Sequence, residues 1–544
     1  EAISGAGAKT VAIAGSVALA LIDTTTEARI GSAATISGLN NVSDIVVTAT
    51  GNTSSTAKAK PNDDGATAET VGIGASLALN RLNQQVSAIV DNNVLFVGTG
   101  RNLNVVANAN HIAATESTAG GGNTNGIAGS VALAIINNTT TAKVGTGGLV
   151  TLVGTGDIRA NHNGSSATKA DATVTGSNVG IGVGVGINDD HQDSSAILSR
   201  SLTLAGALNV LSTSSVTSSI ETTSTAKGAD PLSGGADQTT NTARNQTPNT
   251  GGTNTLPSGS SAMTSGNSSA SSNSSSEGGG LGVAASLGLN SLNITNVARI
   301  DNSASVNAGT GAIVVRASQL VNESTKAVGT SVALSDSTKI GASAGLNFAT
   351  INNLATVESG SIVRGGGITV EAITPAGQAN AFTAWGAAAA GGTGGVGVAG
   401  SAAIELVNFT TLASAKSGSQ LLSTGNLTVN ANNTLNPQTL AVGAGFNASN
   451  NPVVGGSVAI RLLTTQTDAF IGSSADAASA MSVTARTTIN PTVIDLPGPI
   501  PDLTATSVAV AGSASTGGVG VAGAVVINID TINTSATINS GAAI

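Results

Sequence analysis

"GIAGSVALAIINNTTTAKV", residues 126–144, is the stretch that decides the fold. It begins with an unbroken run of small and aliphatic residues and then changes abruptly to Asn and Thr. Successive side chains of a β-strand point to opposite faces, and alternate positions of this stretch belong to two different classes. The bulky class is Ile127, Val131, Leu133 and Ile135, and the small class is Ala128, Ser130, Ala132 and Ala134.

This alternation predicts a strand with one bulky face and one very small face. We expect the bulky set to form the core. We expect the small set to be a packing face, covered at close range by another sheet or by a neighbouring chain. Residues 518–538 alternate in the same way and place Ala522 and Ala524 on the small face. The polar residues 137–141 are expected to form the corner after the strand.

The stretch recurs nine times along the chain of 544 residues. Each copy carries an alanine in its second half, and the successive alanines are 54–67 residues apart, except for one interval of 102. That interval contains a Ser, Gly, Asn and Thr tract, residues 227–280, which is too polar to repay its ordering entropy and should loop out of the array. The nine alanines are Ala28, Ala88, Ala142, Ala196, Ala298, Ala355, Ala413, Ala469 and Ala536.

Such repetition predicts an all-β fold. The fold is expected to be a repetitive parallel β-solenoid (β-helix) that forms a rod. Residues 1–226 would contribute about four copies and residues 281–544 about five, separated by the tract at 227–280. If each coil takes ~20–25 residues, two or three coils fit one repeat, and the rod is on the order of 100 Å long. An antiparallel, sandwich-like repeat array is the alternative fold.

Composition excludes several classes of protein. Charged residues make up 9% of the chain, Lys and Arg total only 20, and the net charge is −9, so a nucleic-acid partner is not expected. There is no cysteine, which excludes disulfides and thiolate metal sites. The apolar runs, at ~12 residues, are too short for a membrane-spanning helix. The opening residues lack a signal-peptide pattern, so we expect a mature form or a segment of a longer protein.

The block "GVGVAGAVVINIDTINTSATI" (518–538), like residues 126–144, combines this apolar run with a polar second half, and strands of the form G-x-L/I-x-V-x-A follow such blocks. The pattern resembles the repeat region of giant bacterial surface exoproteins of the leukotoxin and haemagglutinin types, the filamentous adhesins. The resemblance implies an extended β-helical shaft that is secreted through an outer membrane and displayed on the cell surface. It does not imply cytotoxicity.

Candidate chemistry is sparse. His111, His162 and His191 stand in separate repeats without a catalytic pattern, and each is expected to be a solvated loop residue. "NDDHQD" (188–193) is expected to be a solvated turn, although its carboxylates are weak candidates for a calcium site. No catalytic residue and no cofactor-binding residue is predicted. The weak metal candidates are Asp189, Asp190 and Asp193.

The favoured function is therefore a structural and adhesive extracellular protein without catalysis, which forms a stiff fibre or filament by repeat stacking and self-association. The expected partners are further copies of the chain in a homopolymer or bundle, as in a biofilm, and a host or neighbouring-cell surface or glycan. Two alternatives remain. One is a carbohydrate-binding or carbohydrate-degrading β-helix of the tailspike or lyase kind, for which the seven aromatic residues are few. The other is an ice-binding solenoid, which needs ranked threonines.

Overall fold

The computed structural model describes residues 1–228, 280–336, 338–472, 474–494, 503–539 and 542. All regular structure in these ranges is β, and none of it is helical. Within them, the one antiparallel pair is a small hairpin between β24 (Thr492–Ile494) and β25 (Leu503–Ala505), and all other strand pairs are parallel. The prediction of a repetitive parallel solenoid is therefore confirmed, and the antiparallel array is wrong.

The nine copies of the motif stack directly on one another and form what we call the first sheet. Each strand is about 20 residues long and pairs in register with the strands of the coils before and after it. Its strands are β2 (Val11–Ile30), the second halves of β4 (Ile45–Val90), β6 (Leu103–Val144) and β8 (Gly156–Leu198), then β11 (Leu281–Ile300), β14 (Lys339–Val357), β18 (Gly397–Ala415), β21 (Val453–Ile471) and β27 (Gly520–Ile538).

A second long sheet lies opposite the first, so the solenoid is flat in cross-section. In three coils the strand continues without interruption from the second sheet round an arc into the first, as in β4. The strands of the second sheet are β1 (Ala2–Ala8), the first halves of β4, β6 and β8, then β10 (Leu208–Gly228), β13 (Ala312–Asp336), β16 (Gly367–Ile373) with β17 (Asn380–Gly394), β20 (Leu427–Asn447), and β23 (Met481–Ile489) with β26 (Ser507–Ser515).

Short strands close each coil at the end away from the arc. They are β3 (Thr35–Asn40), β5 (Leu95–Thr99), β7 (Val150–Leu152), β9 (Leu202–Leu204), β12 (Ser305–Asn307), β15 (Ile362–Gly365), β19 (Gln420–Ser423) and β22 (Ser474–Ala477). The corner before them repeatedly places a residue with positive φ three positions after the end of the first-sheet strand, where the chain must reverse direction sharply. These residues are Ala33, Asn93, Ser303, Gly360 and Gly418.

The nine alanines identified in the sequence occupy one continuous column, because each is paired with the next along the stack. Ala196 pairs with Ala298 although 102 residues separate them, so the first-sheet strands on either side of the long interval are direct neighbours. The tract predicted to loop out, residues 227–280, lies outside the described residues except for 227, 228 and 280.

One repeat makes one coil, so the prediction of two or three coils per repeat is wrong. The strands are long because both faces of a flattened solenoid are wide, and a coil of 54–60 residues contains two long strands and one short strand. Nine coils at ~4.8 Å span about 40 Å, whereas a strand of 20 residues spans about 65 Å. The described part is therefore a slab, not a rod of about 100 Å.

The assignment of the bulky face to the core is also wrong. Ile127, Val131 and Ile135 point outward and are 37–38% exposed, while the small set between them points inward. The two long sheets approach so closely near the arc that only Gly, Ala and Ser fit between them. At Gly345, for example, a Cβ atom would lie 2.3 Å from the carbonyl oxygen of Trp385 on the opposite sheet.

The interior changes character along each strand. At the end of each coil that the short strands close, Val, Leu and Ile form an aliphatic core that runs through the stack. They come from the first sheet, the second sheet and the short strands. Residues 137–141, predicted to be a corner, remain in β6, and Asn138 and Thr140 are fully buried inside the coil. The corner comes later, at residues 145–149, because inward Asn, Gln and Thr side chains bond to one another across coils and so allow the strand to continue.

Candidate interaction surface

The predicted packing face lies inside the chain in the third coil. Ala128, Ser130, Ala132 and Ala134 are at most 1% exposed, and the Ser130 hydroxyl donates to the carbonyl oxygen of Ser117 on the second sheet at 2.6 Å. Their partner is thus the chain's own second sheet. The remaining two predicted residues, Ala522 and Ala524, belong to β27 in the ninth coil and are exposed, because among the described residues β21 is the one strand that pairs with β27.

The weak metal candidates are not brought together. Residues 188–193 are part of β8 and not a turn, so their side chains alternate between the two faces. Asp190 is buried and accepts hydrogen bonds from Ser166 Oγ at 3.1 Å and from Gln192. Asp189 and Asp193 lie on the outer face, and Asp193 pairs there with His191 at 3.3 Å. In the part of the chain that the structure describes, no group of three His, Cys, Asp or Glu side chains is arranged to hold a metal ion.

Two of the three histidines are buried, which corrects the prediction that all are solvated loop residues. His111 and His162 point into the polar interior with ring centroids 5.4 Å apart. Asn138 lies against His111, and Thr140 Oγ1 is 2.9 Å from His162 Nδ1. Burial lowers the pKa of His111 to about 3, with a further contribution from His162, and lowers the pKa of His162 to about 4. Both rings are therefore neutral near pH 7.

Sequence reasoning missed a set of buried charged groups in the same interior. Glu323 and Glu405 are fully buried, and burial raises the pKa of both well above the usual range, for Glu405 despite the nearby Arg461 guanidinium. Neither carboxylate oxygen of Glu323 has a hydrogen-bond partner among the described residues. Arg461, 2% exposed, reaches Asp530 with two hydrogen bonds of 3.2 and 2.5 Å. Only knowing that these strand positions face inward could have identified them.

The outer face of the first sheet is a continuous apolar surface, which we call the apolar plate. It consists of four adjacent columns named after their members in β2: Ile13, Gly15, Val17 and Leu19. Strand pairing carries each column through all nine coils, with Ile or Val throughout the first, Gly, Ala or Val in the second, Val, Leu or Ala in the third, and Leu or Ile in the fourth. No position of the plate is polar or charged.

A groove runs along the solenoid axis in the middle of the plate. Its floor is the Gly15 column, and bulkier columns rise on both sides. It is lined by residues such as Ala285, Ala342, Gly400 and Gly456, with Leu287 on one wall. The groove spans the coils from β8 to β27, and three of its six floor residues are glycine: Gly400, Gly456 and Gly523.

The outer face of the second sheet is chemically different. Over five coils one of its columns alternates in charge, and at one end of this column Lys58 Nζ lies 2.9 Å from Glu116 Oε2. Such half-exposed pairs add little stability individually. In the later coils the same column continues as Trp385, Leu440 and Val508, which are buried, so this face is charged in one part and apolar in another. The alternating column is Lys58, Glu116, Lys169, Glu221 and Lys326.

The apolar plate is thus the feature of the molecule that most needs an explanation in terms of function. The described residues include no helix that is long and apolar enough to cross a membrane. A scan against protein-family models, a search of the curated proteins and a search of the solved structures each find no match for this chain.

Proposed function

We propose that the chain is a structural and adhesive element of an extracellular fibre on a cell surface, and that it acts by mechanical stiffness and self-association without catalysis. The shaft is the stacked solenoid. The contacts to other copies are made by its outer faces, and adhesion is to a neighbouring surface or glycan.

The observation that carries this proposal is the unbroken register of the stack. All nine first-sheet strands pair over about 20 residues, and the second sheet is continuous beside them. Bending such a slab requires many parallel ladder hydrogen bonds to break together, because each coil contacts only its neighbours and is held along its full width. A body built in this way transmits force and spans distance.

Electron microscopy of native material tests the shape. We expect straight fibres or bundles of constant width, and isolated compact particles would refute a fibre. Brief protease treatment of intact source cells tests the location. We expect peptides of this chain in the released material before lysis, and their appearance only after lysis would refute an extracellular role.

A further inference from the structure

We propose that the apolar plate is an interface between two copies of this chain, which pack face to face with the groove of each copy filled by side chains of the other. This inference rests on the proposed function, because it supplies the lateral contact that a fibre or bundle needs. It names the occupant of the groove as a second copy.

The size of the plate matches a stable protein interface. Four columns spaced two residues apart and nine coils at ~4.8 Å give a surface of about 25 by 40 Å, roughly 1,000 Å². A standard interface buries about 800 Å² on each partner, whereas the largest apolar patch of a typical monomer is about 300–600 Å². In coils with neighbours on both sides, Leu77, Ile127 and Val131 are still 37–40% exposed, so burial against a partner gains apolar contact.

The glycines of the groove supply an independent argument. A Cβ atom at Gly400 or Gly523 would meet nothing within 4 Å, one at Gly456 would lie 3.9 Å from the Ala399 carbonyl oxygen, and none of these residues has a positive φ. The fold itself therefore does not require glycine there. Glycine in a strand costs stability relative to a β-branched residue, by up to about 1 kcal/mol. Its use on the groove floor is explained if another surface occupies the space.

The plate is also complementary to itself. A two-fold axis that is parallel to the stacking direction and midway between the Gly15 and Val17 columns reverses the order of the columns. It places the Gly15 column of each copy opposite the Val17 column of the other, and the Ile13 column opposite the Leu19 column. All four columns are then covered in both copies, as a closed two-fold interface requires. The charged column of each second sheet points away from the interface.

The test fills the groove from within. Gly400→Val, Gly456→Val and Gly523→Val are combined in one variant, and its association is compared with that of the wild-type chain by sedimentation velocity over a range of concentrations. We expect the wild type to form dimers or larger bundles that resist high salt. The variant is expected to have a dissociation constant raised at least tenfold and an unchanged or higher melting temperature, because valine favours strands.

The matched control places three valines on the polar half of the same face: Thr139→Val, Thr295→Val and Thr410→Val, which all belong to one outward column. We expect this control to associate like the wild type. If the groove variant melts at a lower temperature, Val131→Lys, on the exposed ridge beside the groove, provides the second test of association.

A wild-type chain that stays monomeric at 100 µM, or a groove variant that associates as tightly as the wild type, would overturn the interface. A monomer that carries co-purified apolar material in native mass spectrometry would instead assign the groove to a small apolar ligand and would also overturn it. Extended native fibres together with a monomeric chain would leave the proposed function standing, and associated chains in compact native particles would refute that function alone.

Discussion

Replacing Asp190 by Asn should make the stability of the solenoid less sensitive to a rise in pH from 5 to 8. The Asp190 carboxyl is 1% exposed, and burial raises its pKa to about 7, against about 3.9 in an unfolded chain. An acid whose pKa is raised by folding stabilises the folded state least when it is charged. The stability that the neutral Asp190 carboxyl contributes is therefore fully present below about pH 4, and it is lost as the pH rises from there to about 7.

The magnitude follows from the two pKa values. The cost of keeping Asp190 in its buried position is about 1–2 kcal/mol at pH 5 and about 4 kcal/mol at pH 8, which is a difference of about 2–3 kcal/mol. Asn cannot titrate, and it keeps an acceptor for Gln192 and a polar partner for Ser166. The D190N variant should therefore gain about 2–3 kcal/mol over the wild type when the pH is raised from 5 to 8.

The assay is urea unfolding followed by circular dichroism at pH 5 and pH 8 for both chains. Asp189→Asn is the matched control, since it removes the same charge from the adjacent, outward position of β8, where surface substitutions usually change stability by less than about 0.5 kcal/mol. A D190N effect that is equal at the two pH values would refute the conclusion that Asp190 is buried as a neutral acid.

Three further outcomes follow. Ala132→Arg, in the interior, should cost several kcal/mol and broaden thermal unfolding, whereas Ala522→Arg, exposed in the ninth coil, should change stability by less than about 1 kcal/mol in the same calorimetric scan. Gly345→Ala should lower the melting temperature, with a cost of about 1–3 kcal/mol, because the added Cβ meets the Trp385 carbonyl oxygen, and an unchanged melting curve would contradict the close approach of the sheets. Because folding lowers the pKa of His111 to about 3, the stability that this residue contributes should fall by about 2 kcal/mol on going from pH 7 to pH 5, and His111→Gln should gain about that much relative to the wild type when urea unfolding is compared at the two values.

The repeat pattern predicts the stack well because each repeat carries its own marker of strand register. The alanine column, from Ala88 to Ala469, is one residue type at one strand position, and stacking identical coils keeps it in line. The number of coils per repeat could not be read in the same way. The second-sheet strand at residues 103–123 is rich in Asn, Ala, Thr and Gly, so in the sequence it resembles turns and not a 20-residue strand.

The sequence predicts the wrong face of the first sheet as the interior, and the reason is physical. Hydrophobicity predicts which face avoids water, but it does not state how much room there is on either side. Near the arc the room is set by the backbone of the opposite sheet, and at Gly74 a Cβ atom would lie 1.9 Å from the Gly120 carbonyl oxygen. Small residues are therefore obligatory inside. Bulky residues such as Ile127 are left for the outside, where their apolarity needs another explanation.

The pairing of Ala196 with Ala298 has a consequence for how such a chain can change. Between Gly228, where β10 ends, and Gly280, the chain carries 51 additional residues, and yet the coils before and after them pair without any shift in register. Residues added at this arc therefore leave the strand pairing between the coils of the stack unchanged. The arc is therefore a natural grafting position, at which a foreign binding domain or a reporter can be attached to the slab while the pairing of the coils stays unchanged.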